Sequence, residues 1–147
     1  MKFANAIELA PLLARLLLLH WLDMYWRGGV AKPERIICVP LHQKRCWQRG
    51  FNQSALIARP LAHWLGCHYQ NDTLQRVRAT PPQRLLSAKA RRRNLKAAFR
   101  LPTPLYGQHI ALLDDVVTTG STCDEISKML MAQGAASVQV WCICRTL

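Results

Sequence analysis

One stretch, Asp114-Asp115-Val116-Val117-Thr118-Thr119-Gly120-Ser121-Thr122, holds two kinds of chemistry side by side. Adjacent carboxylates accept hydrogen bonds from sugar hydroxyls or hold a hydrated divalent cation. Behind them come four hydroxyls around Gly120, where a helix begins and backbone N–H groups are offered to a phosphate. A ribose bearing a 5-phosphate would satisfy both halves at once. A plainer reading also fits these residues: Thr122 and Glu125 as a capping box, and the two acids as a solvated turn. The choice turns on what surrounds the stretch.

The flanking residues predict a strand over 108–113 running straight into the acids, a helix over 121–133 stopped by Gly134, and a strand over 138–143. Strand, helix and strand with short joins make a βαβ unit and hence a parallel sheet. Ligands of such sheets sit beyond the carboxyl ends of the strands, where the acids fall. Upstream, Leu9, Leu12, Leu13, Leu16, Leu17 and Trp21 recur at helical spacing and predict a helix over about 5–26 with that face inward. A β-branched run at 35–39 ending at Pro40 reads as a buried strand. The basic loop 41–51 follows, and then a helix from Asn52 to the stop at Gly66, which Pro60 is expected to kink or shorten. Residues 74–77 suit a strand, Pro81-Pro82 breaks any element, and 87–95 is helix-permissive and basic.

The chain has 147 residues and a formal net charge of +12, with half of its residues hydrophobic. This is too apolar for a disordered basic tail, and its length suits one domain over 1–147. Residues 27–100 carry 16 Lys/Arg against Glu34 and Asp72, a net of +14, so the excess lies in the middle of the chain. An anionic partner follows: nucleic acid, a membrane surface or a phosphorylated small molecule. Pro11, Arg15 and His20 interrupt the leucine-rich run before it reaches the ~20 apolar residues of a spanning helix, and no secretory signal is visible. A cytoplasmic location and reduced thiols are therefore expected. The six cysteines lack metal-ligand spacing and read as packing residues. Trp21, Trp26, Trp64 and Trp141 fall on apolar faces and read as core, whereas Trp47 among Lys44, Arg45 and Arg49 resembles a base-stacking residue.

Residues 111–122 resemble the signature of type I phosphoribosyltransferases, which bind 5-phosphoribosyl 1-diphosphate (PRPP). Val39-Pro40-Leu41 with Arg45, Arg49 to Ser54, then Arg76, Arg78, Thr80 and Gln83, and Arg91 with Asn94-Leu95 and Phe99, are similar to the ComF/GntX family of phosphoribosyltransferase-like proteins. The resemblance covers nearly the whole chain and implies a Rossmann-like α/β fold and an association with DNA utilization and competence. It implies that Asp114 and Asp115 meet the ribose hydroxyls and Mg²⁺, with Arg76 and Arg78 beside them in the catalytic set. Thr118, Thr119, Gly120, Ser121 and Thr122 would hold the 5-phosphate. Pro40, Leu41, His42, Arg45 and Arg49 would face the diphosphate, and Gln83, Arg91 and Asn94 would belong to a mobile loop over the site. The partners implied are PRPP and, for a non-catalytic alternative on the same fold, single-stranded DNA or nucleotides. Family members usually carry an N-terminal four-cysteine zinc finger; this sequence has no such cysteines, so no zinc is expected.

Overall fold

The computed structural model describes residues 2–40, 52–71, 74–77, 87, 89–90, 93 and 98–146. In chain order its elements are α1 (Lys2–Trp26), β1 (Arg35–Cys38), α2 (Gln53–Leu65), β2 (His68–Tyr69), β3 (Gln75–Arg76), β4 (Phe99–Arg100), β5 (His109–Val117), α3 (Ser121–Ala132) and β6 (Ser137–Arg145). Four strands form a parallel sheet in the order β2-β1-β5-β6, and β3 pairs antiparallel with β4. β1 lies between β2, which follows it in the chain, and β5. The strand order therefore reverses between β1 and β5, which is where open α/β sheets bind ligands.

Alternation along the central strands decides which helix covers which face. Ile37, Ile110 and Leu112 point to one side, against Ile126 and Leu130 of α3 and against Leu74, Phe99 and Leu105. Ile36, Ala111, Leu113 and Trp141 point to the other, against Ala10, Ala14 and Trp21 of α1 and Ile57, Ala58 and Leu61 of α2. The predicted parallel α/β sheet and its βαβ unit, β5-α3-β6, are thus present.

The first helix differs from the expectation. Trp21 is buried and Leu13 and Leu17 pack beside it as expected, but Ala10 and Ala14 complete the contact face, while Leu9, Leu12 and Leu16 are 48%, 53% and 55% exposed. A helix that is leucine-rich all round leaves the choice of inward face to packing, and small residues let α1 approach its neighbours closely. Gln139 of β6 anchors this helix: its Oε1 accepts from the indole N–H of Trp21 (3.1 Å) and of Trp141 (3.3 Å), and its Nε2 donates to the Ala31 carbonyl (2.6 Å). Both indole donors are thereby satisfied under the helix. Trp26, 79% exposed, and Trp64, 40% exposed, are not core. Trp26 closes the helix at its solvent-facing end, and Trp64 lies on the outer side of α2.

α2 begins and ends as its sequence dictates. The Asn52 side chain accepts from the Ser54 N–H (3.0 Å), and Gly66 closes the helix in a left-handed conformation, φ 64°. Pro60 does not shorten it, since the helix continues to Leu65.

Candidate functional site

The site arises from a step in the sheet. β1 ends its pairing where Cys38 faces Leu113 and the Val39 N–H donates to the Leu113 carbonyl (2.9 Å), but β5 continues to Val117. β6 carries it on, pairing Asp114 with Cys142, Val116 with Cys144 and Val117 with Arg145. The predicted end of the strand at Leu113 is therefore corrected: the two acids lie inside β5, because β6 supplies ladder partners beyond the point where β1 stops. A cavity of about 580 Å³ fills the step. Val39 and Pro40 line it from the end of β1, Gln53 from the start of α2, Arg76 from β3, and residues 114–123 from β5, the loop and α3.

Two consecutive strand residues face opposite sides of a sheet. Asp114 turns toward α3, where the buried Cys123 thiol donates to its Oδ2 (3.7 Å). Asp115 borders the α1/α2 side as well, and its Oδ1 accepts from the Val116 N–H (2.9 Å). At the step both still open into the one cavity. Burial, and then the neighbouring Asp115, push the Asp114 carboxyl up to about 6. Burial, followed by Asp114, pushes the Cys123 thiol up to about 12, and burial pushes Cys38 up to about 12. Burial thus favours the protonated form of both thiols. Cys144 is exposed, so not every cysteine is a packing residue.

The cost of keeping Asp114 ionised has a sign that experiment can read. An acid with a raised folded-state pKa contributes stability below its unfolded value of about 4, and that contribution is lost as pH rises through about 6. Asp114→Asn is therefore expected to stabilise the fold at pH 7.5 by about 1–2 kcal/mol, solvent in the cavity reducing the full linkage value. In urea unfolding the gain should vanish below about pH 4. A variant less stable than the parent at pH 7.5 would contradict this origin of the shift.

The loop after β5 is built as a cradle. Gly120 is the N-cap of α3 at φ 82°, and no side chain caps the helix. Thr119 Oγ1 lies 2.9 Å from Ser121 Oγ and accepts from the Ser121 N–H at 3.4 Å. The Thr122–Glu125 capping box does not form: the helix starts at Ser121, which puts Thr122 in its first turn, and Glu125 accepts instead from Lys128 Nζ (3.2 Å). Apart from the long Ser121 N–H bond to Thr119 Oγ1, the start of the helix has no side-chain cap, which suits an anion.

Of the residues singled out from sequence, Asp114, Asp115, Thr118 to Thr122, Pro40 and Arg76 come together around one cavity. The Arg76 guanidinium also lies over the Phe99 ring, 5.6 Å from its centroid. Leu41, His42, Arg45, Trp47, Arg49, Arg78, Gln83, Arg91 and Asn94 lie outside the described residues. Sequence reading missed Gln53 and Cys123. Gln53 directly follows the N-cap Asn52, whose Nδ2 donates to the Val39 carbonyl (3.3 Å) and so ties the start of α2 to the end of β1; the Asn-Gln-Ser start of that helix was the available signal. Among the described residues no group of three or more His, Cys, Asp or Glu could hold a metal ion, and no helix is long and apolar enough to cross a membrane.

The fold is that of the type I phosphoribosyltransferases. A glutamic acid mutant studied for an invariant aspartic acid in HPRTs superposes with a TM-score of 0.56 at 14% identity, covering 95% of this chain and 78% of that one. The hypoxanthine phosphoribosyltransferase of Trypanosoma cruzi gives 0.52 at 15% identity, again over 95% and 78%. In sequence the chain is similar to DNA utilization and competence proteins, which bears out the resemblance to the ComF/GntX family. It is 55% identical over 147 residues to the DNA utilization protein YhgH of Salmonella typhi, 52% to that of Escherichia coli (strain K12), and 44% to competence protein F of Haemophilus influenzae. The chain spans 65% of the length of the two YhgH relatives and 64% of competence protein F. No family model matches the chain.

Proposed function

We propose that this chain is a PRPP-binding domain that transfers the phosphoribosyl group, with Mg²⁺, in the use or uptake of DNA. The observation that carries this reading is the shared cavity: two carboxylates and an uncapped, hydroxyl-lined helix start open into the same space at the strand-order reversal. The Asp114 and Asp115 carboxylates accept hydrogen bonds from the ribose 2- and 3-hydroxyls, and residues 118–122 hold the 5-phosphate. Pro40 and Arg76 border the diphosphate, with the Arg76 guanidinium stabilising the charge that develops on it as the C–O bond at the anomeric carbon breaks. The donor set fits Mg²⁺, which binds through one or two carboxylates and completes its shell with water and substrate phosphates. Bound there, the ion would neutralise the departing diphosphate. The names of the relatives, DNA utilization and competence, support that context, and the reading puts the protein in the cytoplasm, where its thiols stay reduced.

A ligand that binds only the folded state stabilises it by about 2.7 kcal/mol at 100 times its Kd. PRPP with Mg²⁺ should then raise the melting temperature by roughly 5–10 °C for a chain of this size. A flat melting curve across millimolar PRPP and Mg²⁺ would count against the reading. The second reading is a non-catalytic single-stranded DNA module on the same fold. It is favoured by the net +14 over residues 27–100, more charge than one diphosphate needs.

A further inference from the structure

The outer side of α1 carries a leucine stripe in water. Leu9, Leu12 and Leu16 stand about half exposed and Leu19 is 62% exposed. They recur at intervals of three, four and three, the spacing at which one helix seats its leucines between those of another. Ala10, Ala14 and Trp21 point away from the stripe into the core, so the helix is apolar on two sides and the core takes one of them.

The stripe is symmetric about residue 14. Turned end for end, Leu9 falls on Leu19 and Leu12 on Leu16, and the exposed polar residues at its two ends, Asn5 and Asp23, fall on each other. Asp23 Oδ1 accepts from Arg27 Nε in its own helix (3.1 Å), which leaves Oδ2 to accept from the Asn5 amide of a second copy. A parallel pairing would instead set the two Asp23 carboxylates together. Residues 1–26 carry no net charge, Lys2 and Arg15 balancing Glu8 and Asp23. In a chain of net charge +12, such a segment lets two copies approach with little repulsion.

We infer that α1 is the seam of a symmetric homodimer, packed antiparallel on the α1 of a second copy, with Leu9 against Leu19 and Leu12 against Leu16. A surface that matches itself end for end is what a twofold interface requires, because residue i meets j and j meets i. A lipid surface would also gain from four leucines, but it makes no use of the match between Asn5 and Asp23. The inference is independent of the PRPP reading. Four leucines from each copy make a small interface, so the pairing should be weak, with a Kd of roughly 1–100 μM.

The test is sedimentation equilibrium of the full chain over about 1 to 300 μM. The mass should rise from 16.7 kDa toward twice that value. Leu12→Glu/Leu16→Glu sets four carboxylates around the twofold axis and should hold the protein at the monomer mass throughout. Both positions are exposed, so the helical circular dichroism of the variant should match the parent. Asn5→Lys reads the direction of pairing. In the antiparallel dimer it gains an ion pair with the second copy's Asp23 at each end and should tighten the dimer about threefold or more. A monomer at every concentration overturns the inference, and binding of that monomer to phosphatidylcholine vesicles through the same leucines would assign the stripe to lipid. An oligomer that survives Leu12→Glu/Leu16→Glu overturns it as well, as does pairing that Asn5→Lys weakens or leaves unchanged.

Discussion

Replacing Asp114 and Asp115 together by Asn weakens binding of PRPP with Mg²⁺ at least about 100-fold, or about 2.7 kcal/mol. Hydrogen bonds to charged groups contribute about 1.5–3 kcal/mol each, and both carboxylates open into the cavity that would take the sugar. Asn keeps the shape of Asp and can still accept through one oxygen, so the loss reads the charge and its hold on the metal rather than a hole in the wall. The fold survives the change on the same grounds: Asp114 resists ionisation because burial and Asp115 oppose it, and removing that charge relieves the folded state. A site that costs stability without its ligand is a common signature of function. Loss of binding together with unchanged or improved melting would separate a role in the site from a role in folding.

Gly120→Val has the second large effect. A left-handed conformation costs an L-residue about 1–2 kcal/mol, and β-branching makes it worse. Gly120 adopts φ 82°, and among the described residues a Cβ there would meet no atom within 4 Å beyond its chain neighbours, so the backbone carries the penalty to folding. The open space beside it is the cavity, where a valine side chain would occupy the ground of the 5-phosphate. Affinity for ribose 5-phosphate should fall at least about tenfold, and stability by about 1–2 kcal/mol. Gly66→Val is the matched control, since Gly66 is also left-handed, φ 64°, with open space around it, but caps α2 away from the cavity. It should show the stability loss with no change in affinity. Equal affinity losses in both would reduce the Gly120 effect to general destabilisation.

The sheet and the site loop were legible in the sequence for a reason that applies to both. Runs such as Ile36-Ile37 and Ile110 to Leu113 are buried on both faces, so they carry an unbroken apolar signal that ends where chemistry begins. What sequence could not settle depended on neighbours. β5 runs four residues past Leu113 only because β6 extends beside it, and that step, invisible in any single strand, makes the cavity. The capping box failed because Thr122 lies one residue inside a helix whose start is set by Gly120. α1 presents leucine on several sides, so its periodicity could not show that Ala10 and Ala14 would form the contact. Gln53 becomes a site residue through the Asn52–Val39 hydrogen bond, a contact between elements that no local pattern encodes.

In the proposed function Asp114, Asp115 and the 118–122 loop bind one PRPP together. Calorimetric titration of PRPP with Mg²⁺ into the protein and into the Asp114→Asn/Asp115→Asn variant tests it most directly. Saturable binding near one site per chain is expected, lost in the variant while its fold persists. No PRPP heat in the parent protein, alongside single-stranded DNA binding that falls steeply with salt, would contradict it. So would equal PRPP binding by parent and variant.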